Sequence, residues 1–334
     1  MKAIQQIKYA KEPFDLEIVD IPKPTISSQD VLIKVVAAGL NPVDYKLMTG
    51  SIRAIFPFKT PFTAGNEFAG GIEEVGSDVV DFKVGDQIYG RMTLKEPGAF
   101  AEYVGIVASE IALIPDYLSF EEAARIPLTA LTAYQALDLL KVEAGKTIFI
   151  SGGTGGFGAI AIPLAKARGF RVVTNDRAIH KERMLGLGVD QFIDYQTEDY
   201  TTILSDVDYV IDTLGGEELE KQFGILKTGG HLVSLSSLPN RAFAKEMGLS
   251  WFKQFLFGLV GRKYDKLAAE NGQTYHFIFM HSDGPQLREI SRIFAEKQVP
   301  ISIDQVFAFT DINKALDKLR KGGSKGKSIL RVEE

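Results

Sequence analysis

Residues 151–163 read SGGTGGFGAIAIP, with five glycines in the first eight positions, running straight into an apolar helical pattern. The stretch TIFIS (147–151) precedes this loop, AIAIPLAKARG follows it, and FRVVT (170–174) comes next, so the order is strand, turn, helix, strand. Gly153, Gly155 and Gly158 satisfy G-x-G-x-x-G in the context that gives the motif meaning. The first glycine permits the tight turn, the second admits a pyrophosphate, and the third lets helix and strand pack closely. A helix N-terminus favours the negative charge. Gly153, Thr154, Gly155, Gly156, Phe157 and Gly158 are therefore expected to cradle a dinucleotide.

The loop arrives almost halfway along a chain of 334 residues, which is long enough for two domains. Another domain is expected to come first. The 45% hydrophobic and 24% charged fractions describe an ordinary globular protein. A net charge of −5 offers no attraction to a phosphate polymer, so no nucleic acid partner is expected. Cysteine is absent, which removes disulfides, thiolate nucleophiles and sulfur-ligated zinc. The start, MKAIQQIKYAKEPFD, lacks the apolar core of a signal peptide. The most apolar stretch, WFKQFLFGLVG (251–261), is too short to span a bilayer. The expectation is a cytoplasmic protein without a membrane partner.

Residues 1–124 carry short β-like runs, VLIKVVAAGL (31–40), GGIEEVG (70–76), DQIYG (86–90) and AFAEYVGIV (99–107), and read as a mostly antiparallel β domain. From 125 to 280 compact apolar strands alternate with helix-length segments: TIFIS, FRVVT, QFIDY (191–195), VDYVIDT (207–213), HLVSLS (231–236) and YHFIFM (275–280). That alternation predicts a parallel sheet covered by helices. Two amphipathic helices are expected in the remaining residues, 281–334. The segment 239–271 packs Trp251, Phe252, Phe255 and Phe257 too densely for one amphipathic stripe, and reads equally as a lid, a dimer surface or a buried helix.

The end of the second parallel strand selects between the two nicotinamide dinucleotides, because the ribose 2′ position lies there. It reads VVTNDRAIHKER. Asn175 falls at the strand end, and Asp176 stands where an acid would hold ribose hydroxyls. Arg177 and Lys181 could instead pair with a 2′-phosphate. Leu214 in DTLGG and Ser234 in SLSS, at the ends of the fourth and fifth strands, are expected to meet the cofactor.

In order along the chain, AGLNPVDYKLMTG (38–50), GNEFAGGIEEVG (65–76), FKVGDQIYG (82–90), GAFAEY (98–103), IPLTALTAYQAL (126–137), the glycine loop and GKSILRV (326–332) resemble the medium-chain dehydrogenase/reductase superfamily. The resemblance is to its zinc-free branch of quinone oxidoreductases and zeta-crystallin-like enzymes. It implies an α/β chain in which a GroES-like β-rich catalytic domain (1–124) is followed by a Rossmann doubly wound domain (125–280), with a return to the catalytic domain at 281–334. It also implies a homodimer joined through the last Rossmann strand. Zinc enzymes of the superfamily carry cysteine where this chain has Asn41 and histidine where it has Asn66, so no metal is expected.

For the cofactor, the resemblance matches Lys181 and Tyr195 to residues that grip a 2′-phosphate, which favours NADPH, while Asp176 keeps NADH open. It places Asn41, Tyr45 and Lys46 beside the nicotinamide, with Tyr45 either a proton donor to the substrate oxygen or an aromatic packing the wall. Thr132 and Lys327, and less strongly Lys325, match cofactor contacts. Without a Lewis acid the substrate should carry its own electron sink, a quinone or an α,β-unsaturated carbonyl, reduced by direct hydride transfer. The alternatives are a cofactor-binding sensor without turnover and an RNA binder of the zeta-crystallin kind.

Overall fold

This computed structural model describes residues 1–9, 15–53, 57, 59–93, 96–141, 143–153, 155–322 and 326–333. The chain divides into two compact units, Met1–Leu131 with His281–Glu334, and Thr132–Met280. In chain order the first unit has β1 (Lys2–Gln6), β2 (Glu17–Asp20), β3 (Asp30–Gly39), α1 (Pro42–Met48), β4 (Phe62–Thr63), β5 (Glu67–Val75), β6 (Gln87–Arg91), β7 (Tyr103–Val107), β8 (Ile111–Leu113) and α2 (Phe120–Ala123). Helix α3 (Pro127–Leu139) then carries the chain into the second unit.

The sequence reading set the first boundary at 124/125, but the units divide at 131/132, inside α3. The reason lies in the first turn of that helix. The Leu128 N–H donates to Glu67 Oε2 at 2.8 Å, and the Thr129 hydroxyl accepts from Lys327 at 3.0 Å. These bonds bind the turn to the first unit.

The second unit has β9 (Thr147–Ser151), α4 (Gly158–Ala167), β10 (Arg171–Asp176), α5 (Lys181–Gly186), β11 (Gln191–Asp194), α6 (Tyr200–Ile203), β12 (Val207–Asp212), α7 (Gly216–Ile225), β13 (Leu226–Ser234), α8 (Arg241–Glu246), α9 (Trp251–Glu270) and β14 (Thr274–Phe277). Its strands lie in the order β11-β10-β9-β12-β13-β14, and every pairing is parallel. This is the doubly wound order, in which the chain reverses direction across the sheet between β9 and β12. Apolar residues such as Ile148, Phe149, Val172, Val210 and Leu232 are fully buried, as helices over a parallel sheet require. The final strand is shorter than YHFIFM suggests, ending at Phe277.

The return segment supplies α10 (Gly284–Lys297), β15 (Ile303–Ala308), α11 (Ile312–Lys321) and β16 (Lys327–Arg331). Strand β16 pairs with β3 through Ile329 opposite Gly39, inside a sheet ordered β15-β16-β3-β5-β6-β8, with β7 also on β3. Apart from the parallel β15–β16 pair, its ladders are antiparallel. Phe307, Ile312, Leu316 and Leu330 of the return share one core with Ile33, Phe68 and Phe100. The first unit is thus a GroES-like sheet domain completed by the end of the chain, and the second is a Rossmann domain.

Two glycines of the loop have no room for a side chain. A Cβ on Gly153 would lie 2.2 Å from Thr174 Oγ1, and one on Gly158 would lie 2.4 Å from the Gly153 carbonyl oxygen. Replacing Gly158 with Ala should destabilise the protein by about 1–3 kcal/mol through this backbone clash. Denaturant titration of the variant checks the figure, and an unchanged midpoint would show that the helix need not pack so closely.

Candidate functional site

Three strand ends of the first unit meet at one buried polar cluster. Glu67 opens β5, Gly39 ends β3, and Lys327 opens β16. Glu67 is fully buried, and Lys327 nearly so. The Lys327 ammonium donates to Glu67 Oε1, to the Arg125 carbonyl oxygen at 2.9 Å and to Thr129 Oγ1 at 3.0 Å. Those three bonds use its three protons. The same Glu67 oxygen accepts from Asn41 Nδ2 at 2.7 Å, and the other takes the Leu128 N–H. A Cβ at position 39 would stand 2.3 Å from Glu67 Oε1, so only glycine fits there.

Asn41 caps the start of α1. Its amide end is assigned by chemistry, because a carboxylate only accepts and so the NH2 must face Glu67. Its backbone N–H donates to Asp44 Oδ2 at 2.7 Å, and Asp44 Oδ1 accepts from the Asn66 side chain. Asn66 Oδ1 is buried and has no hydrogen-bond partner among the described residues. Burial raises the Asp44 carboxyl to about 7 despite the opposing Asn66 hydrogen bond. Burial likewise pushes the Lys327 ammonium down, with the Glu67 charge working the other way.

Arg91 escaped the sequence reading. It is 3% exposed and lies directly across the ladder from Glu67, with its guanidinium 3.4 Å from Ser282 Oγ. Burial lowers it to about 10, while Glu67, Glu110 and Asp44 favour its charge. The available signal was an arginine closing the short strand QIYGR directly after the buried run 88–90.

In the second unit, polar side chains stitch together the carboxyl edge of the sheet, where an open parallel sheet binds ligands. Asn175 Oδ1 accepts from the Gly152 N–H at 3.1 Å, tying the loop to β10. Ser151 and Thr213 bridge β9 and β12, the Thr213 N–H donating to Ser151 Oγ at 2.9 Å. Asp212 is fully buried and accepts from the Leu214 and Gly215 N–H groups, the Gln222 amide and the Ser234 hydroxyl.

The expected residues thus fall in two groups, each within one unit. Asn41, half-buried Tyr45 and Lys327 belong to the first. Lys46 does also, but it sits exposed in the last turn of α1. Lys327, expected at the cofactor, spends its ammonium on Glu67, Arg125 and Thr129. Gly153, Gly155, Gly156, Phe157, Gly158, Asn175, Arg177, Tyr195 and Leu214 gather at the carboxyl edge of the second unit, and Thr132 begins that unit on α3. Ser234 lies at the same edge but fully buried, its hydroxyl 2.6 Å from Asp212, so it fastens strand ends and presents nothing outward. Thr154 and Lys325 lie outside the described residues.

The carboxyl edge suits a dinucleotide. Gly155 stands exposed, and a Cβ there would meet only the Gly152 oxygen at 3.3 Å, which leaves a loop of accessible backbone ahead of α4. Asp176 is 9% exposed, with Oδ1 turned to the Arg177 N–H at 2.7 Å, whereas the Arg177 and Lys181 side chains are exposed. The Tyr195 N–H donates to the Asp176 carbonyl oxygen at 3.2 Å and brings its half-exposed ring to the same corner.

Comparison with known proteins agrees with this architecture. Residues 27–116 match the alcohol dehydrogenase GroES-like domain, and residues 187–330 match the zinc-binding dehydrogenase family. A mitochondrial NAD(P)H oxidoreductase of Danio rerio is 30% identical over 91% of this chain and 84% of its own length. A 2-methylene-furan-3-one reductase of Solanum lycopersicum is 36% identical over 65% of this chain, which spans 57% of that relative's length. Among solved structures, the quinone oxidoreductase of Coxiella burnetii superposes with a TM-score of 0.83 at 30% identity, covering 100% of this chain and 99% of the other. The chain belongs to the quinone oxidoreductase branch of the medium-chain dehydrogenase/reductase superfamily, a family of oxidoreductases.

The zinc in one family description does not fit the residues found here. The Asn41 and Asn66 NH2 groups are donated to Glu67 and Asp44, and Glu67 is taken by an ammonium, which leaves the neutral Asn66 amide oxygen, a poor substitute for the sulfur and imidazole ligands zinc takes. No group of three His, Cys, Asp or Glu side chains suited to a metal occurs among the described residues.

Removing one partner of a buried ion pair strands the other charge. Lys327→Met should therefore destabilise the protein by about 3–5 kcal/mol, and adding Glu67→Gln should recover most of the loss. Thermal and denaturant unfolding of both variants check this, and a double variant as unstable as the single one would contradict it.

Asp44 provides a pH test. Its raised folded-state value means that its contribution is complete below the ordinary carboxylate range and is lost as pH climbs toward about 7. The stability difference from Asp44→Asn should move in the variant's favour by about 1.4 kcal/mol per pH unit over that window, then level off. Denaturant midpoints measured from acid to mildly alkaline pH give the slope directly.

Proposed function

We propose that this protein is an NADPH-dependent, zinc-independent reductase of quinones or α,β-unsaturated carbonyls. The observation that carries the reading is the dinucleotide-ready carboxyl edge of the second unit; in the first unit, asparagines stand at the zinc-ligand positions 41 and 66, and Glu67 is paired with Lys327. When bound, NADPH would supply the hydride. A substrate with a conjugated electron sink accepts it without a Lewis acid. The names of the relatives point the same way: one acts on a furanone bearing an exocyclic methylene, and a similar solved structure is a quinone oxidoreductase.

In this reading Gly153–Gly158 hold the pyrophosphate with backbone N–H groups. Asn175 keeps the loop in place through Gly152. Arg177 and Lys181 neutralise the 2′-phosphate, and Tyr195 covers it. Asp176 takes the Arg177 N–H on Oδ1, and the neighbouring Arg177 and Lys181 cations offset its charge toward a 2′-phosphate. Leu214 and Thr132 complete the cofactor contacts. Lys327 acts indirectly, holding Glu67 so that Glu67 orients the Asn41 amide toward cofactor or substrate. Tyr45 donates a proton or hydrogen bond to the substrate oxygen as negative charge develops there. Lys46, at the helix surface, contributes positive potential to the approach of the substrate.

Steady-state oxidation of NADPH and NADH, with a benzoquinone, a 2-alkenal and a saturated aldehyde as acceptors, tests the reading. The first two acceptors should turn over and the saturated aldehyde should not. Arg177→Ala combined with Lys181→Ala should raise KM for NADPH by about tenfold or more while leaving NADH nearly unchanged, since only the former loses its phosphate partners. Cofactor binding without turnover of any conjugated acceptor would instead favour a sensor.

A further inference from the structure

We propose that the outer face of α9 docks on an anionic lipid bilayer, lying in its interface without crossing it. Phe252, Phe255, Leu256 and Leu259 recur at helical spacing and share one face, with Trp251 and Val260 flanking it on either side. All six are exposed, Trp251 at 79% and the other three largest, Phe252, Phe255 and Leu259, above 50%. The opposite face, through Gly261, Tyr264 and Ala268, is buried against the domain. A stripe of this size, open to water next to a well-packed inner face, marks a contact surface.

The charges around it identify the occupant. One turn further on, the outer face turns cationic with Arg262, Lys263 and Lys266. From α8, the Arg241 side chain lies beside Gly258, and Lys245 is exposed nearby. Between residues 239 and 266 six Lys and Arg residues face only Glu246 and Asp265, in a chain whose net charge is −5. Asp265 is engaged by the Asn240 amide. Lys263 pairs with Glu220 and Lys266 with Glu270, while Arg241, Lys245 and Arg262 have no carboxylate partner among the described residues. Apolar and aromatic side chains rimmed by cations are what an interfacial helix offers to acidic headgroups. Tryptophan at the end of the stripe suits the headgroup level.

A second copy of this chain is a worse match. Antiparallel pairing of two such faces would bring the Arg262–Lys266 end of one helix to the Lys245 and Lys253 end of the other, and parallel pairing would set like on like. Glu246 and Asp265 are the carboxylates within residues 239–266, and Asp265 is already engaged by Asn240, so either arrangement leaves the six cations of each copy in excess. The shortness of the stretch excludes crossing a bilayer, and so do the charges of α9, but neither bears on lying at its surface.

Trp251 is the only tryptophan in the chain, so its emission reports on this face alone. The full chain should sediment with vesicles of 70:30 phosphatidylcholine and phosphatidylglycerol, with a blue shift of Trp251 emission, and bind pure phosphatidylcholine about tenfold more weakly. Phe255→Ser with Leu259→Ser retains the reporter and should lose about tenfold in vesicle affinity, whereas Arg241→Glu with Arg262→Glu should abolish the preference for the anionic lipid. Unchanged melting temperatures would show that both variants fold. No binding to the anionic vesicles would overturn the proposal. So would emission already blue-shifted without lipid in a dimer that the Phe255/Leu259 variant dissociates, since a second copy would then own the surface.

Discussion

The contact between the Lys327 ammonium and the Glu67 carboxylate organises the first unit. It joins residues 260 positions apart, and it draws in Arg125, Leu128, Thr129 and Asn41. Burying two charges is unfavourable by itself and becomes tolerable only when each remaining proton and lone pair is satisfied. Here the ammonium has three acceptors, and the carboxylate takes two further N–H donors. That saturation fixes where β3, β5 and β16 end relative to one another, and so fixes where α1 starts.

The domain therefore cannot be finished until the chain has made the Rossmann sheet and come back. Strand β16 extends the ladder at Gly39, and the return helices bury Ile312 and Leu316 in a core shared with Ile33 and Phe68. A similar economy holds in the second unit, where one buried carboxylate, Asp212, gathers donors from the loop after β12, from α7 and from β13. Both units use a buried acid to hold loop backbone in place. In the first that acid is balanced by a cation. In the second it is surrounded by neutral donors, which is compatible with burial when the hydrogen bonds converge.

Much of this was legible from residue order. The glycine spacing between an apolar strand and an apolar helix announced the Rossmann unit, because no other residue tolerates the approaches at 153 and 158. The alternation of strands and helices announced a parallel sheet. The replacement of sulfur and imidazole by Asn41 and Asn66 was also visible, as was the unusual aromatic density of residues 251–257. What could not be read was whether those aromatics face inward or outward. Hydrophobicity alone does not separate a buried stripe from an exposed one, and in α9 the inward positions are taken by Gly261, Tyr264 and Ala268.

By itself, then, the sequence determined the fold class, the place of the dinucleotide loop and the absence of thiolate chemistry, since these follow from local spacing and from residue types that are present or missing. The tertiary structure alone decided that Lys327 and Ser234 are spent on buried carboxylates, that Arg91 stands across from Glu67, and that Asp176 accepts from the Arg177 N–H. A side chain's function depends on which partner reaches it first. Partners separated by tens or hundreds of residues meet only once the sheets have closed.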